Sequence, residues 1–142
     1  MRIGEWGVRS AECGMRKGGE VDREESKREM KSRTKEFALR VIRLVQSLPR
    51  GQMADVLGKQ LLRSGTSVGA NYRAACRAKS RADFISKMGI VEEEADESMY
   101  WMELLIESRL VRHDHVANLL DEADQLVAMT VSSIQTARSN KS

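Results

Sequence analysis

Aromatic residues, proline and cysteine are all scarce in this chain of 142 residues. Aromatics make up 4% of it, Pro49 is its single proline, and it has two cysteines. Few aromatics together with abundant Ala, Leu, Met, Glu, Lys and Arg favour helix over sheet. Cys13 and Cys76 lie far apart in the sequence and outside any CxxC pattern, which favours two reduced thiols.

Long apolar runs are also missing. No stretch approaches the roughly 18 residues of a membrane helix, and the N-terminus lacks the apolar core of a secretory signal. No segment alternates polar and apolar residues at period two, so we expect no sheet. These absences predict a cytoplasmic protein without a membrane partner.

Four amphipathic stripes predict four helices joined by short turns. The first stripe ends at Pro49, the second helix begins near Gln52, and the third begins near Ser80 and runs to about residue 111. Ser80 with Asp83 is similar to a capping box, and Asp114 is the expected N-cap of the fourth helix. The stripes predict an all-α protein, an up-down-up-down four-helix bundle.

The bundle is predicted to span residues 34–138. Residues 1–33 form a disordered or frayed charged extension in this prediction, because they carry many glycines and charges and no periodic apolar face. Residues 139–142 are predicted to be a disordered tail.

The stretch RSGTSVGANYRAACRAKS, residues 63–80, raises the question of a phosphate loop. Gly65 and Gly69 are one residue too close for a Walker A motif, and no strand precedes them. Two glycines four residues apart within a regular helix instead predict close approach of a neighbouring helix. We expect packing or interface roles, with Asn71 a candidate for fixing register, at Gly65, Ser67, Gly69, Asn71, Tyr72, Tyr100 and Trp101.

Charge is distributed unevenly along the chain. Residues 52–79 contain five cations and one acid, whereas residues 80–111 contain three cations and eight acids. The basic segment is a candidate for contacts with nucleic-acid phosphates, and pairing with the acids of helix three or with another subunit explains it equally well. The candidate phosphate-binding residues are Arg63, Arg73, Arg77, Lys79, Arg81 and Lys87.

Catalytic and metal-binding patterns are weak. The acidic run EEEADE has no histidine at a ligand spacing, and His113 and His115 fall in a predicted turn. Cys76 beside Arg77 is explained as well by a buried inert thiol. We therefore expect no enzyme, no metal and no cofactor.

Residues 60–105 resemble the four-helix bundle family first noted in intervening sequences of bacterial 23S ribosomal RNA genes. The likeness is closest there and extends more loosely over residues 34–138. It is carried by Arg63, Ser67, Asn71, Phe84, Ile85, Glu94, Tyr100 and Trp101.

The resemblance implies a ring-like homopentamer and a link to RNA biology. A more distant resemblance, to the accessory protein of diversity-generating retroelements, implies a reverse transcriptase or another nucleic-acid enzyme as partner. Two features depart from these patterns: Ala74 stands where relatives commonly have Glu, leaving Arg63 or Arg73 freer, and strong overall basicity is missing.

Together these observations predict a non-enzymatic oligomer that binds ribosomal or other structured RNA, or a nucleic-acid-processing partner, through the basic helix two. The alternative is a structural or adaptor module that binds proteins without nucleic acid.

Overall fold

Four long helices make up the part of the chain that the structure, a computed structural model, describes: residues 18–140. They are α1 (Gly18–Gln46), α2 (Gln52–Ala75), α3 (Arg81–Glu107) and α4 (His113–Ser139). No strand occurs within these residues. The all-α prediction is confirmed, and the four helices are consistent with a four-helix bundle.

The connections between helices follow local sequence. Pro49 and Gly51, which has a φ of 149°, separate α1 from α2. Ser80 caps α3 as predicted, since its Oγ accepts a hydrogen bond from the Asp83 backbone N–H at 3.0 Å. The Asp83 carboxylate accepts the Lys79 backbone N–H in turn. The first bond satisfies a donor that the first turn of α3 leaves open, and the second satisfies the N–H of the residue before the N-cap.

Two predicted helix boundaries are wrong. α3 ends at Glu107 because Arg109 adopts a left-handed conformation with a φ of 66°, and the Leu110 N–H then donates to the Leu105 carbonyl. α4 begins at His113 after Arg112, so Asp114 is not its N-cap. Asp114 lies in the first turn and pairs with Arg112 at 2.9 Å, where a carboxylate also favours the helix dipole.

The core lies between the apolar faces of all four helices. Each helix packs against the next in the chain, and α4 also packs against α1. The largest fully buried side chains are Tyr72, Phe37, Phe84, Leu61, Met88, Met102, Leu105, Leu126, Val41, Val68 and Val91. Burying side chains of this size contributes about 1.5–3 kcal/mol each, the main stabilising term of the fold.

Glycines set the approach of α1 to α2. A Cβ built at Gly65 would lie 2.8 Å from both Cγ atoms of Val41, and one at Gly69 would lie 3.2 Å from Thr34 Oγ1. Gly58, further toward the start of α2, lies beside Leu48 and Val45 near the end of α1. These pairs run in opposite directions along the two helices, which are therefore antiparallel. Gly65 marks the tightest of the three contacts.

The charged segment before residue 34 is helical from Gly18 onward. Within it Met30 is 3% exposed and joins the core, and Arg33 forms an ion pair with Glu122 of α4. The N-terminal part of the predicted extension, residues 1–17, lies outside the described residues, as do residues 141 and 142 of the predicted tail. The predicted domain boundary at residue 34 thus falls inside a continuous helix.

Candidate nucleic-acid interface

The six candidate phosphate-binding cations fall into two groups. Arg63 and Lys87 are engaged: Arg63 Nη2 lies 3.1 Å from Glu94 Oε1 and 2.7 Å from Glu97 Oε2, and Lys87 pairs with Asp83. The other four make no ion pair with any residue between 20 and 140. They are Arg73, Arg77, Lys79 and Arg81.

The acidic face of α3 therefore takes its partner from the middle of α2. Glu97 receives hydrogen bonds from Arg63 at 2.7 Å and from Trp101 Nε1 at 3.1 Å. The expectation that these acids pair with Arg73 and Arg77 is not met in the structure, because the register of α2 on α3 puts Arg63 opposite them. Arg73 and Arg77 are left exposed.

A groove between α1 and α2 brings Arg73 together with two lysines of α1. Its volume is about 570 Å³. It is lined by three cations and by small residues, and no carboxylate lines it. The lining residues are Lys31, Ser32, Thr34, Lys35, Ala38, Thr66, Gly69, Ala70 and Arg73. This concentration of positive charge at a concave surface is suited to an anion.

Cys76 lies at the end of α2 among further cations. Burial raises the pKa of its thiol, while Lys31, Lys27 and Arg77 act in the opposite direction. The burial effect prevails, so the thiol stays protonated and unreactive near neutral pH. Lys27, Lys31 and Arg77 are thus near enough to Cys76 to favour its charged form, although the thiol is not itself a reactive group.

The residues predicted to pack or to form interfaces take different positions. Tyr72 is fully buried, and burial raises its pKa, so it is a core residue and cannot stack on a base. Ser67 and Asn71 are half-buried and donate hydrogen bonds to the Arg63 and Ser67 carbonyls of their own helix. The register role expected of Asn71 therefore has no interhelical hydrogen bond to support it.

The buried polar contact between α2 and α3 is instead a pair of serines. Ser98 Oγ donates to Ser64 Oγ at 3.0 Å, and both side chains are fully buried. Ser98 is not among the residues predicted from the sequence, although it occupies the gap in the apolar stripe of α3 between Ala95 and Met102. A polar residue at a stripe position is the signal that identifies such a contact.

Tyr100 and Trp101 form an aromatic pair at the surface of α3. Their rings meet edge to face with centroids 5.1 Å apart, and Tyr100 is 52% exposed. Met53 and Val56 near the start of α2 are also exposed. Exposed large apolar side chains in a protein with few aromatics are typical of an interaction surface.

Neither a metal site nor a membrane-spanning helix occurs in the part of the chain that the structure describes. Within residues 18–140, no three His, Cys, Asp or Glu side chains are disposed to hold a metal ion. None of the four described helices combines the length and apolarity needed to cross a bilayer.

The comparisons with known proteins agree with this fold. The family model described as "23S rRNA-intervening sequence protein" matches residues 26–132. The chain belongs to this family. The resemblance inferred from residues 60–105 is confirmed, and the match also includes the α1 segment that carries Lys31, Arg33 and Lys35.

A solved structure gives the same result. It is a protein of unknown function from the S23 ribosomal protein family of Bacteroides thetaiotaomicron, with 38% sequence identity and a TM-score of 0.72. The alignment covers 77% of this chain and 97% of that one. The comparison with curated proteins finds no match. Membership of the 23S rRNA-intervening sequence family therefore establishes kinship and fold.

Acid pH is expected to weaken the Arg63–Glu97 contact. Hydrogen bonds from Arg63 and Trp101 lower the pKa of Glu97, so this pair stabilises the fold above the ordinary carboxyl pKa of about 4.3 and ceases to do so as pH falls through the lowered value. Because Arg63 is half-exposed, we expect a loss of about 1 kcal/mol or less. Denaturant melts at pH 7, 4 and 3 measure it.

Arg63→Ala is the matching variant, since it removes the partner that lowers the pKa of Glu97. Its stability should fall less between pH 7 and 3 than that of the parent. An identical pH dependence in the two proteins would contradict the assigned contact.

Proposed function

We propose that this family member is a non-enzymatic, oligomeric four-helix bundle that binds structured RNA through the end of α2 and the turn that leads from it into α3. The observation that carries the proposal is the set of cations there that pair with no acid between residues 20 and 140: Arg73, Arg77, Lys79 and Arg81. The family's description, which refers to 23S ribosomal RNA, supports RNA as the polyanion. Ribosomal RNA is the first target to test.

Phosphate contacts of this kind give affinity without sequence selectivity. Each cation that meets a phosphate releases condensed counterions, so binding weakens as salt rises. Base stacking is not part of the proposal, because Tyr72 is buried in the core. The protein is therefore expected to recognise the shape and charge of a folded RNA. Because the proposed ligand is RNA, we expect the protein to act in the cytoplasm.

The proposal includes an up-down-up-down topology and a homopentameric ring. The antiparallel contacts of α1 and α2 and the short connections support the topology. The exposed Tyr100, Met53 and Val56 supply an apolar surface for contacts between copies. Light scattering at low and high salt measures the oligomer. The mass of a monomer at every salt concentration would contradict the proposed ring.

RNA binding is tested by fluorescence anisotropy with a labelled ribosomal RNA hairpin at low salt. We expect Arg73→Ala/Arg77→Ala to weaken binding about tenfold, because two phosphate contacts are lost. Lys59→Ala/Arg63→Ala is the control, since it removes the same net charge from an earlier part of α2. Equal losses in the two double variants would contradict the assigned face, and no binding by the parent protein would overturn the function.

A second candidate is an adaptor that binds a protein, including a reverse transcriptase or another nucleic-acid enzyme. The exposed aromatic Tyr100 beside Trp101 favours it, since such side chains commonly anchor protein interfaces. Absorbance at 260 nm during purification distinguishes the two candidates. Co-purifying nucleic acid that Arg73→Ala/Arg77→Ala removes favours RNA binding, and its absence with an intact oligomer favours the adaptor.

A further inference from the structure

The groove between α1 and α2 has the composition of a phosphate site. Lys31 and Lys35 approach it from α1, and Arg73 approaches it from α2. None of these three cations forms an ion pair within residues 20–140, and no acid lines the groove. Three like charges around one concavity repel one another, and an anion placed between them relieves that repulsion.

Two of the hydroxyl groups that line the groove already donate hydrogen bonds within the protein. The Thr34 hydroxyl donates to the Lys31 carbonyl, and the Thr66 hydroxyl donates to the Leu62 carbonyl at 2.8 Å. Recognition is thus left to the ammonium and guanidinium groups and to the Ser32 hydroxyl, which makes no hydrogen bond within the described part of the chain. Charged donors of this type form the stronger hydrogen bonds to phosphate oxygens.

Gly69 lines the groove and leaves space in it, because glycine has no side chain. A Cβ there would lie 3.2 Å from Thr34 Oγ1, and a longer side chain would take up space in the groove that Gly69 lines. The glycine costs α2 about 1 kcal/mol of helix propensity relative to alanine. Its position is consistent with a groove that must remain open at the surface.

We propose that this groove seats one phosphodiester group of the bound RNA, with Lys31, Lys35 and Arg73 as its ligands. The inference rests on the proposed function and adds α1, whose residues before position 34 the sequence prediction left outside the bundle. Lys27 and Arg77, which lie around Cys76 beyond the groove, extend the same positive strip. Glu24 is the acid at that edge, where it pairs with Lys27 at 3.5 Å.

The test compares Lys31→Ala/Lys35→Ala with Arg28→Ala/Arg40→Ala, which removes two charges from the same helix outside the groove. In anisotropy titrations with the ribosomal RNA hairpin, the groove variant should bind about tenfold more weakly than the parent, and the control should change less than about threefold. Circular dichroism checks that both variants remain folded, as expected for the exposed Lys31 and Lys35.

A second readout uses the full-length protein in ¹⁵N-labelled form. The Gly69 and Ala70 amide signals should shift when the RNA hairpin is added to the parent, and shift less with the groove variant at the same RNA concentration. Sodium pyrophosphate is titrated in parallel, because its phosphate oxygens accept the same hydrogen bonds as those of a phosphodiester.

The outcomes separate this inference from the proposed function. If the groove variant binds RNA like its control while Arg73→Ala/Arg77→Ala loses affinity, the groove assignment is overturned and RNA binding stands. If pyrophosphate alone shifts the Gly69 and Ala70 signals, the phosphate site stands, and its assignment to RNA falls together with the proposed function. If neither probe shifts them, the groove is not a phosphate site.

Discussion

Replacing Gly65 with leucine is expected to destabilise the protein by about 3 kcal/mol, at the upper end of the usual cost of overpacking a core. The first atom of any side chain at this position would lie 2.8 Å from both Cγ atoms of Val41. Val41 is fully buried and β-branched, so it has little freedom to rotate away. α1 would have to move off α2. Urea unfolding followed by circular dichroism measures the loss.

Gly89 is the matched control, because a Cβ built there meets nothing within 4 Å. Gly89→Ala should leave stability unchanged or raise it by up to about 1 kcal/mol through helix propensity. Gly69→Leu should cost less than Gly65→Leu, since Gly69 borders the open groove. If Gly65→Leu unfolded at the same urea concentration as Gly89→Ala, the close-packing account of α1 and α2 would be wrong.

Replacing Arg33 with alanine is expected to cost about 2 kcal/mol, within the range for hydrogen bonds to charged groups. Arg33 Nε and Nη2 donate to the two oxygens of Glu122 at 3.0 and 2.9 Å, and Nη2 also donates to Gln125 at 2.8 Å. This bidentate contact joins α1 to α4 with both side chains about three-quarters buried or more. The variant leaves the Glu122 carboxylate without its partner.

Arg28→Ala is the control for Arg33→Ala, since Arg28 is exposed on the same helix and should cost about 0.5 kcal/mol or less. A double-mutant cycle with Glu122→Ala isolates the pair, and we expect a coupling energy of about 1 kcal/mol or more. Additive losses in the cycle would show that the contact contributes nothing to stability.

Much of the helical layout is predictable from sequence because it depends on local patterns. The apolar stripes of α2 and α3, the break at Pro49 and the Ser80 cap each involve residues within a few positions of one another. Where a local signal was misassigned, a competing one prevailed: the left-handed Arg109 ends α3 before residue 111, and Asp114 pairs with Arg112. Such alternative local conformations differ little in free energy, so the sequence pattern does not show which of them forms.

The site was less predictable because it depends on how helices are rotated and registered against one another. The basic and acidic segments indicated pairing between α2 and α3, yet the register selects Arg63 as the partner of Glu97. Lys31 and Lys35 belong to a segment with no obvious apolar face, and only the buried Met30 and the Arg33 contact show that it packs. No spacing rule within α1 identifies partners on α4.

The salt dependence of RNA binding tests the central claim most directly, namely that the unpaired cations at the end of α2 meet phosphates and the paired Arg63 does not. The slope of log affinity against log salt should be smaller by about two for Arg73→Ala/Arg77→Ala than for the parent, one for each lost contact. For Arg63→Ala the slope should stay close to that of the parent, because Arg63 is engaged with Glu94 and Glu97. A slope unchanged in the double variant, or lowered equally by Arg63→Ala, would contradict the account.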